Sequence, residues 1–330
     1  MATKVSVGVP IYNAEVTISR ALDALVSQTY TNIEIIICDD GSTDGTQDVC
    51  VSYASLDRRI QYHRSEINRG IPVTFAWVLS LSCAEFFMWA SHDDYWLPHY
   101  IETCLAPLEQ NADVVLSSTI IESLNPNGTS QFNDLGLTTL GLSPSARYKS
   151  YRKKIDTKND IGGIFYGIYR KNILQEFSPM PPIIANDHVL LAKLVLKGCF
   201  VTSQTRLMQK TFGGISDSHS ANGYAQRIPH PLYAKFPYLI REVYFQHTIL
   251  VTEGVNLFDK STLMAWSLVQ YLRQSIRSAK KYFFQLYNDL YFLRVALKRG
   301  EYTTYKPRIL SKRLLILLFR KERKGGNGSR

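Results

Sequence analysis

The stretch NIEIIICDD, residues 32–40, most constrains the fold. Four consecutive apolar residues, Ile35 to Cys38, end abruptly in two carboxylates and a glycine. A strand with one wet face alternates apolar and polar side chains, whereas an unbroken apolar run needs cover on both faces. That is the habit of a buried parallel strand.

The flanking segments fit such a strand. KVSVGVPIYN alternates as far as Pro10 and predicts a strand, and AEVTISRALDALVSQ has helical spacing at Ile18, Leu22 and Leu25. STDGTQDVCVSYASL predicts a helix with Asp44 and Gln47 at capping-box spacing. RIQYHRS, GIPVTFAWVLSLS and EFFMWAS then predict strand, helix and strand, and residues 98–109 a helix with Pro98 in its first turn. DVVLSSTIIES reads as a strand, and residues 125–145 as a polar loop. GIFYGIYRKNIL fits strand or helix, and NDHVLLAKLVLKG is a helix ended by Gly198. Alternation of this kind predicts an α/β fold, a mainly parallel sheet flanked by helices on right-handed crossovers.

In such a sheet ligands bind outside the carboxyl ends of the strands. Three of those ends read PIYN, CDDGSTD and SHDD. No G-x-G-x-x-G follows the first strand and no G-x-x-x-x-G-K-[ST] occurs, which disfavours a dinucleotide-dependent dehydrogenase and a P-loop NTPase. Carboxylates repel phosphate unless a hard cation bridges them. Mg2+ is commonly held by one or two carboxylates together with substrate phosphates.

VSVGVPIYN, IEIIICDDGSTDGT, NRG, SHDDYWLP and NDHVLLAKLVLKG, in that order, resemble the family 2 glycosyltransferases of the GT-A fold over roughly residues 4–215. The resemblance implies an inverting transferase that takes a nucleotide-diphospho-sugar, UDP-linked by default, with Mg2+ or Mn2+. Its nucleotide site would draw on Pro10, Tyr12, Asp39, Asp40, Arg69 and His92: Tyr12 stacking on the base, Asp40 hydrogen-bonding it, Arg69 near the diphosphate. Asp93 matches the metal-binding member of the family's D-x-D, with Asp94 beside it; Ser91 stands where that motif has its first acid. Asp187 matches the general base that deprotonates the acceptor hydroxyl, and His219, in a Gly- and Ser-rich loop, is a further candidate metal ligand.

Each residue also has a plainer reading. Asp39 and Asp40 suit a turn, Asp93 and Asp94 could cap the next helix, and Asp187 could be an N-cap. Tyr12 could be packed, Arg69 and His219 solvated, and His92 a spacer. GGIFYG, residues 162–167, could shape the acceptor pocket or fill the core.

The chain has 330 residues, 45% hydrophobic and 20% charged, with room for residues 1–215 as a catalytic domain and 216–330 as a loop plus helical extension. Five scattered cysteines, without CxxC spacing, suit a reducing compartment. No signal-peptide pattern opens the chain, and no apolar window is long enough to span a bilayer. Residues 262–330 hold 16 Lys and Arg against 3 acids, while residues 1–261 hold 22 against 25. The basic region carries amphipathic helices and the apolar block Leu314–Phe319, which suits an interfacial helix on an anionic membrane surface. Nucleic acid is disfavoured, since no binding motif accompanies the charge. QYLRQ at Gln270 lacks the tryptophan of the Q-x-x-R-W of processive synthases. The resulting expectation is a cytoplasmic, membrane-peripheral enzyme adding one sugar to a glycan or lipid-linked acceptor.

Overall fold

The computed structural model describes residues 3–124, 130–133, 136–158, 162–181, 183, 185–211 and 237–299. His219 and the block Leu314–Phe319 lie outside them.

The isoleucine strand is β2 (Ile33–Asp39), and it runs parallel to β1 (Val5–Ile11) on one side and β3 (Ile60–Arg64) on the other. Its side chains divide as the unbroken apolar run requires. Ile35 and Ile37 join one core cluster, Ile36 and Cys38 the other, and all four are fully buried. Helices α1 (Ile18–Val26), α2 (Thr46–Leu56) and α3 (Ile71–Leu81) make the crossovers between these strands and β4 (Phe86–Trp89), which pairs parallel with β1.

Beyond β4 the sheet becomes mixed. β5 (Tyr95–Trp96) is followed by α4 (Tyr100–Gln110), β6 (Val114–Leu124) and β7 (Ser130–Asn133). Next come α5 (Pro144–Lys158), α6 (Gly162–Phe165), β8 (Ile168–Arg170), α7 (Lys171–Gln175), α8 (Asn186–Lys197) and β9 (Cys199–Thr211). The strand order is β3-β2-β1-β4-β8-β6-β9-β5, with β7 on β6. β8 is antiparallel to both β4 and β6, β5 is antiparallel to β9, and the long β6–β9 ladder is parallel. Two helices follow, α9 (Pro237–Val251) and α10 (Leu257–Arg299). One compact unit runs through Ser267, and residues from Leu268 form a second.

Several local expectations need correction. The N-cap of α2 is Gly45 and no side chain caps it, so Asp44 and Gln47 form no capping box; Asp44 instead accepts the Thr46 N–H at 3.1 Å. The N-cap of α4 is His99, which leaves Pro98 outside the helix, its carbonyl taking the Thr29 N–H at 2.8 Å. The polar segment expected as a loop contains β7, and GIFYGIYRKNIL supplies both a helix and a strand. Helix α5 carries its buried face on Tyr148, Tyr151, Arg152 and Ile155. That is helical spacing without the aliphatic side chains that announce it.

At the end of the sheet away from the carboxylates, Glu34 is buried and accepts hydrogen bonds from Ser6 Oγ, from Lys4 Nζ at 2.6 Å and from the Cys83 N–H at 2.9 Å. Burial alone would raise its pKa, but these bonds outweigh that and lower it below the usual 4.5. A carboxyl with a lowered folded-state pKa stabilises the fold above its unfolded pKa, and that contribution disappears as pH falls through the folded value. Glu34→Gln is therefore expected to cost about 1–3 kcal/mol at neutral pH. The gap in melting temperature between the variant and the unaltered chain should close as pH drops below 4.5. A gap that stays constant down to pH 3 would contradict this account.

Candidate active site

β1 and β2 end together, with Ile11 level with Asp39, while β4 ends level with Gly8 of β1. Pro10 is buried within β1. The Ala90 N–H still donates to the Gly8 carbonyl at 2.9 Å, but the next ladder bond would need an N–H on Pro10, so the pairing of β1 with β4 stops there. Pro10 thus shapes the tip from inside the sheet. Tyr12 follows it at 36% exposure, the aromatic ring open at the mouth.

The DDGSTDGT segment fastens the neighbouring loops. The Asn13 N–H donates to Ser42 Oγ at 2.9 Å, the Thr43 N–H to Asn13 Oδ1 at 2.8 Å, and the Ala14 N–H to Thr46 Oγ1 at 2.8 Å. Asn13 takes a left-handed φ of 50°, a conformation that asparagine tolerates well. Asp40 accepts the Arg69 N–H at 2.9 Å and the Gly70 N–H at 2.7 Å, so one carboxylate holds the NRG loop against the sheet. Gly41 makes that approach feasible. It sits at φ 75°, and a Cβ there would lie 2.9 Å from the Ile67 carbonyl carbon. The Arg69 guanidinium lies 4.5 Å over the Trp77 ring and its Nε is 3.9 Å from Asp40.

Asp39 behaves differently from its neighbour. It is fully buried, and its oxygens accept the Ser42 N–H at 2.8 Å and the Tyr62 hydroxyl at 2.7 Å, with Arg64 Nε at 3.7 Å. Asp39 thus braces the strand tip from within the sheet.

After β4, Ser91 Oγ donates to Asp93 Oδ1. His92 meets Thr17 Oγ1 through its Nδ1 at 2.8 Å, which ties the segment to the start of α1. Asp94 is only 2% exposed and accepts the Thr211 N–H at 3.2 Å. Burial first, then the charge of Asp93, pushes its carboxyl up to about 7; Lys210 and Arg20 oppose the rise. Neither aspartate caps a helix, since the next N-cap is His99.

Asp187 is the second helical residue of α8, not its N-cap. Ala185 holds the cap position at a left-handed φ of 58°, and no side chain caps the helix. Asp187 Oδ1 accepts the His188 N–H at 2.9 Å. The phenols of Tyr151, Tyr169 and Tyr166 all have raised pKa values, chiefly from burial, and the charge of Asp187 adds to each. His188 is buried, with a pKa lowered mainly by that burial, and among the described residues its Nδ1 has no partner.

Burial first, then the charges of Asp94 and Asp93, raise the pKa of the Tyr166 phenol, and the charge of Asp187 adds to the rise. Within GGIFYG, Phe165 stacks on Trp89 at 5.3 Å in the core and Tyr166 meets Phe165 edge-on at 5.1 Å. Nothing in the sequence beyond that motif pointed to Tyr166. Arg20 and Thr211, which close the Asp94 side with a 3.1 Å hydrogen bond, gave no signal either. Among the described residues no three His, Cys, Asp or Glu side chains form a ready-made metal cage.

The architecture is that of GT-A glycosyltransferases. It is shared with S. aureus TarS in complex with UDP-GlcNAc, at a TM-score of 0.60 and 18% identity over 82% of this chain and 73% of that one. The sequence model of glycosyl transferase family 2 matches residues 6–177, more than half of the chain, and the chain belongs to that family. Among curated relatives, glycosyltransferase GlyA of Streptococcus pneumoniae is 33% identical over 116 residues, 35% of this chain and 16% of that protein. The putative glycosyltransferase EpsE of Bacillus subtilis is 30% identical over 143 residues, 43% of this chain and 49% of that protein. The matched region thus spans less than two thirds of either relative.

Proposed function

We propose that the protein transfers one sugar, with inversion, from a nucleotide-diphospho-sugar to a hydroxyl of a glycan or lipid-linked acceptor. The observation that carries this reading is the set of acids past the ends of β2 and β4, Asp40 holding the NRG loop and Asp93 beside Asp94, in a chain of glycosyl transferase family 2. In this reading Tyr12, exposed past the end of β1, stacks on the base, and Asp40, which holds the NRG loop, hydrogen-bonds it; a UDP-linked donor agrees with the ligand of TarS.

Asp93 and Asp94 fit a divalent cation of the Mg2+ or Mn2+ type. Asp93 lies beside the buried Asp94, whose carboxyl its charge helps to push up, and a cation completed by substrate phosphates would relieve that repulsion. Bound there, the cation would neutralise charge on the departing diphosphate. Asp187 takes the acceptor's proton as its oxygen bonds to the anomeric carbon and the bond to the diphosphate breaks. His188 is a poorer base, being buried and held against the Tyr151 side through its carbonyl, which takes the Tyr151 hydroxyl at 2.9 Å. Calorimetry with a panel of UDP-, GDP- and dTDP-sugars, with and without Mn2+, tests this reading. Metal-enhanced binding of one donor class is expected; no binding by any donor would overturn the assignment.

The exposed stripe Leu268, Leu272 and Ile276 on α10, with exposed Arg273 and Arg277 beside it, supports contact of that helix with an anionic membrane surface. No helix among the described residues is long and apolar enough to cross a membrane. Sedimentation with phosphatidylserine vesicles, reduced by salt and absent with phosphatidylcholine, is the expected result. Equal sedimentation with both lipids would count against an electrostatic contact.

A further inference from the structure

Hydrophobicity alone does not choose the buried face of α9. Phe245 and Ile249 are buried, yet Leu239, Val243 and Leu250 of the same helix are exposed. What marks the buried face is a charge. Glu242 is 4% exposed and accepts a hydrogen bond at 3.3 Å from Arg152 of α5, itself 1% exposed. The Arg152 guanidinium also donates to Ser267 Oγ of α10 at 2.9 Å and to the Tyr148 hydroxyl at 3.2 Å, and it lies 4.1 Å over the Phe245 ring. Ser267 Oγ donates to Glu242 Oε1 at 2.6 Å, and Gln246 Nε2 donates to the same oxygen at 2.8 Å.

Burying such a pair is a poor way to gain stability, because both ions lose their water, and apolar residues of similar volume often hold a fold as well. What the pair supplies is register. A planar guanidinium reaches Glu242, Ser267 and Tyr148 together in only one placement of the three helices. The residue next to Arg152 carries that register to the site. Tyr151 is fully buried and donates its hydroxyl to the His188 carbonyl at 2.9 Å, while the His188 N–H donates to Asp187 Oδ1 at 2.9 Å. Nearer the start of α5, Arg147 donates to the Val195 and Leu196 carbonyls at 2.9 Å each. Helix α8 is thus fastened to α5 at both ends.

We propose that α9 and the first turns of α10 are the acceptor-side support of the active site: the Arg152–Glu242–Ser267 cluster fixes α5, and Tyr151 of α5 fixes the helix start that carries Asp187. Tyr151, Arg152 and Glu242 are positioning residues, and the proposal rests on the reading of Asp187 as the base that takes the acceptor's proton.

The test measures four quantities on the full chain: melting temperature, calorimetric affinity for UDP with Mn2+, hydrogen exchange of the amides of residues 188–192, and UDP release from a panel of UDP-sugars with water as acceptor. Tyr151→Phe keeps the ring and loses one hydrogen bond. It speeds exchange at those amides about tenfold and slows UDP release by a similar factor, with UDP affinity unchanged. The double variant Arg152→Met, Glu242→Leu replaces the pair with apolar side chains and melts near the parent. Its UDP release falls by up to about a hundredfold, the loss expected for a misplaced reacting group. A purely structural role would instead lower melting temperature and UDP affinity along with turnover, and that pattern overturns the proposal. Parent exchange and parent turnover in both variants, with turnover lost in Asp187→Asn, also overturn it and leave the base standing. Parent turnover in Asp187→Asn overturns the base reading and the support with it.

Discussion

Asp187→Asn is expected to lower sugar transfer by roughly 100- to 10,000-fold, the contribution typical of a positioned proton acceptor, while the fold and donor binding survive. The geometry makes this a clean substitution. Asp187 is not the N-cap of α8, since Ala185 occupies that position, so no cap is lost. Among the described residues its side-chain bond, from the His188 N–H, is kept by the asparagine carbonyl. What disappears is the charge and the capacity to take a proton. Asp187→Ala, in turn, gives up only that bond and the favourable placement of a negative group in the first helical turn, about 0.3–1 kcal/mol. Both variants should melt close to the parent chain and lose transfer together. Wild-type transfer by the asparagine variant, assayed by release of nucleoside diphosphate, would remove Asp187 from the mechanism.

The same residue shows how far the site could be read without coordinates. NDHVLL announced an acid at a helix start, and α8 begins there. Whether that acid capped the helix or faced a ligand depended on where Ala185 turned, which one sequence cannot show. Asp39 and Asp40 were indistinguishable as letters. Their roles separate only because β2 ends at Asp39, which turns it inward toward Tyr62, while Asp40 lies past the strand and meets the NRG loop. β2 itself was legible because burial on both faces leaves an unbroken apolar run. β9 was not, because its middle residues Ser203, Gln204 and Thr205 are polar, the last two of them exposed, and its strand character comes from pairing with distant β6.

The second large effect concerns Asp93. Asp93→Asn keeps the size of the side chain and an oxygen that can still accept from Ser91 Oγ, so the segment following β4 should hold its shape. The charge that would bind a cation is gone, and Asp94 cannot replace it readily. Asp94 is 2% exposed and already turned toward the Thr211 N–H. A cation at a leaving diphosphate supplies several kcal/mol of transition-state stabilisation. Its loss should lower kcat/KM by roughly a thousandfold or more. UDP affinity measured with Mn2+ should fall to the value measured without it, while affinity without Mn2+ stays unchanged, since Tyr12, Asp40 and Arg69 are untouched. That split between the two conditions separates a metal ligand from a residue that merely shapes the site, which would weaken UDP binding in both. Equal loss with and without Mn2+ would assign Asp93 to the shape of the donor pocket and withdraw the cation from this position.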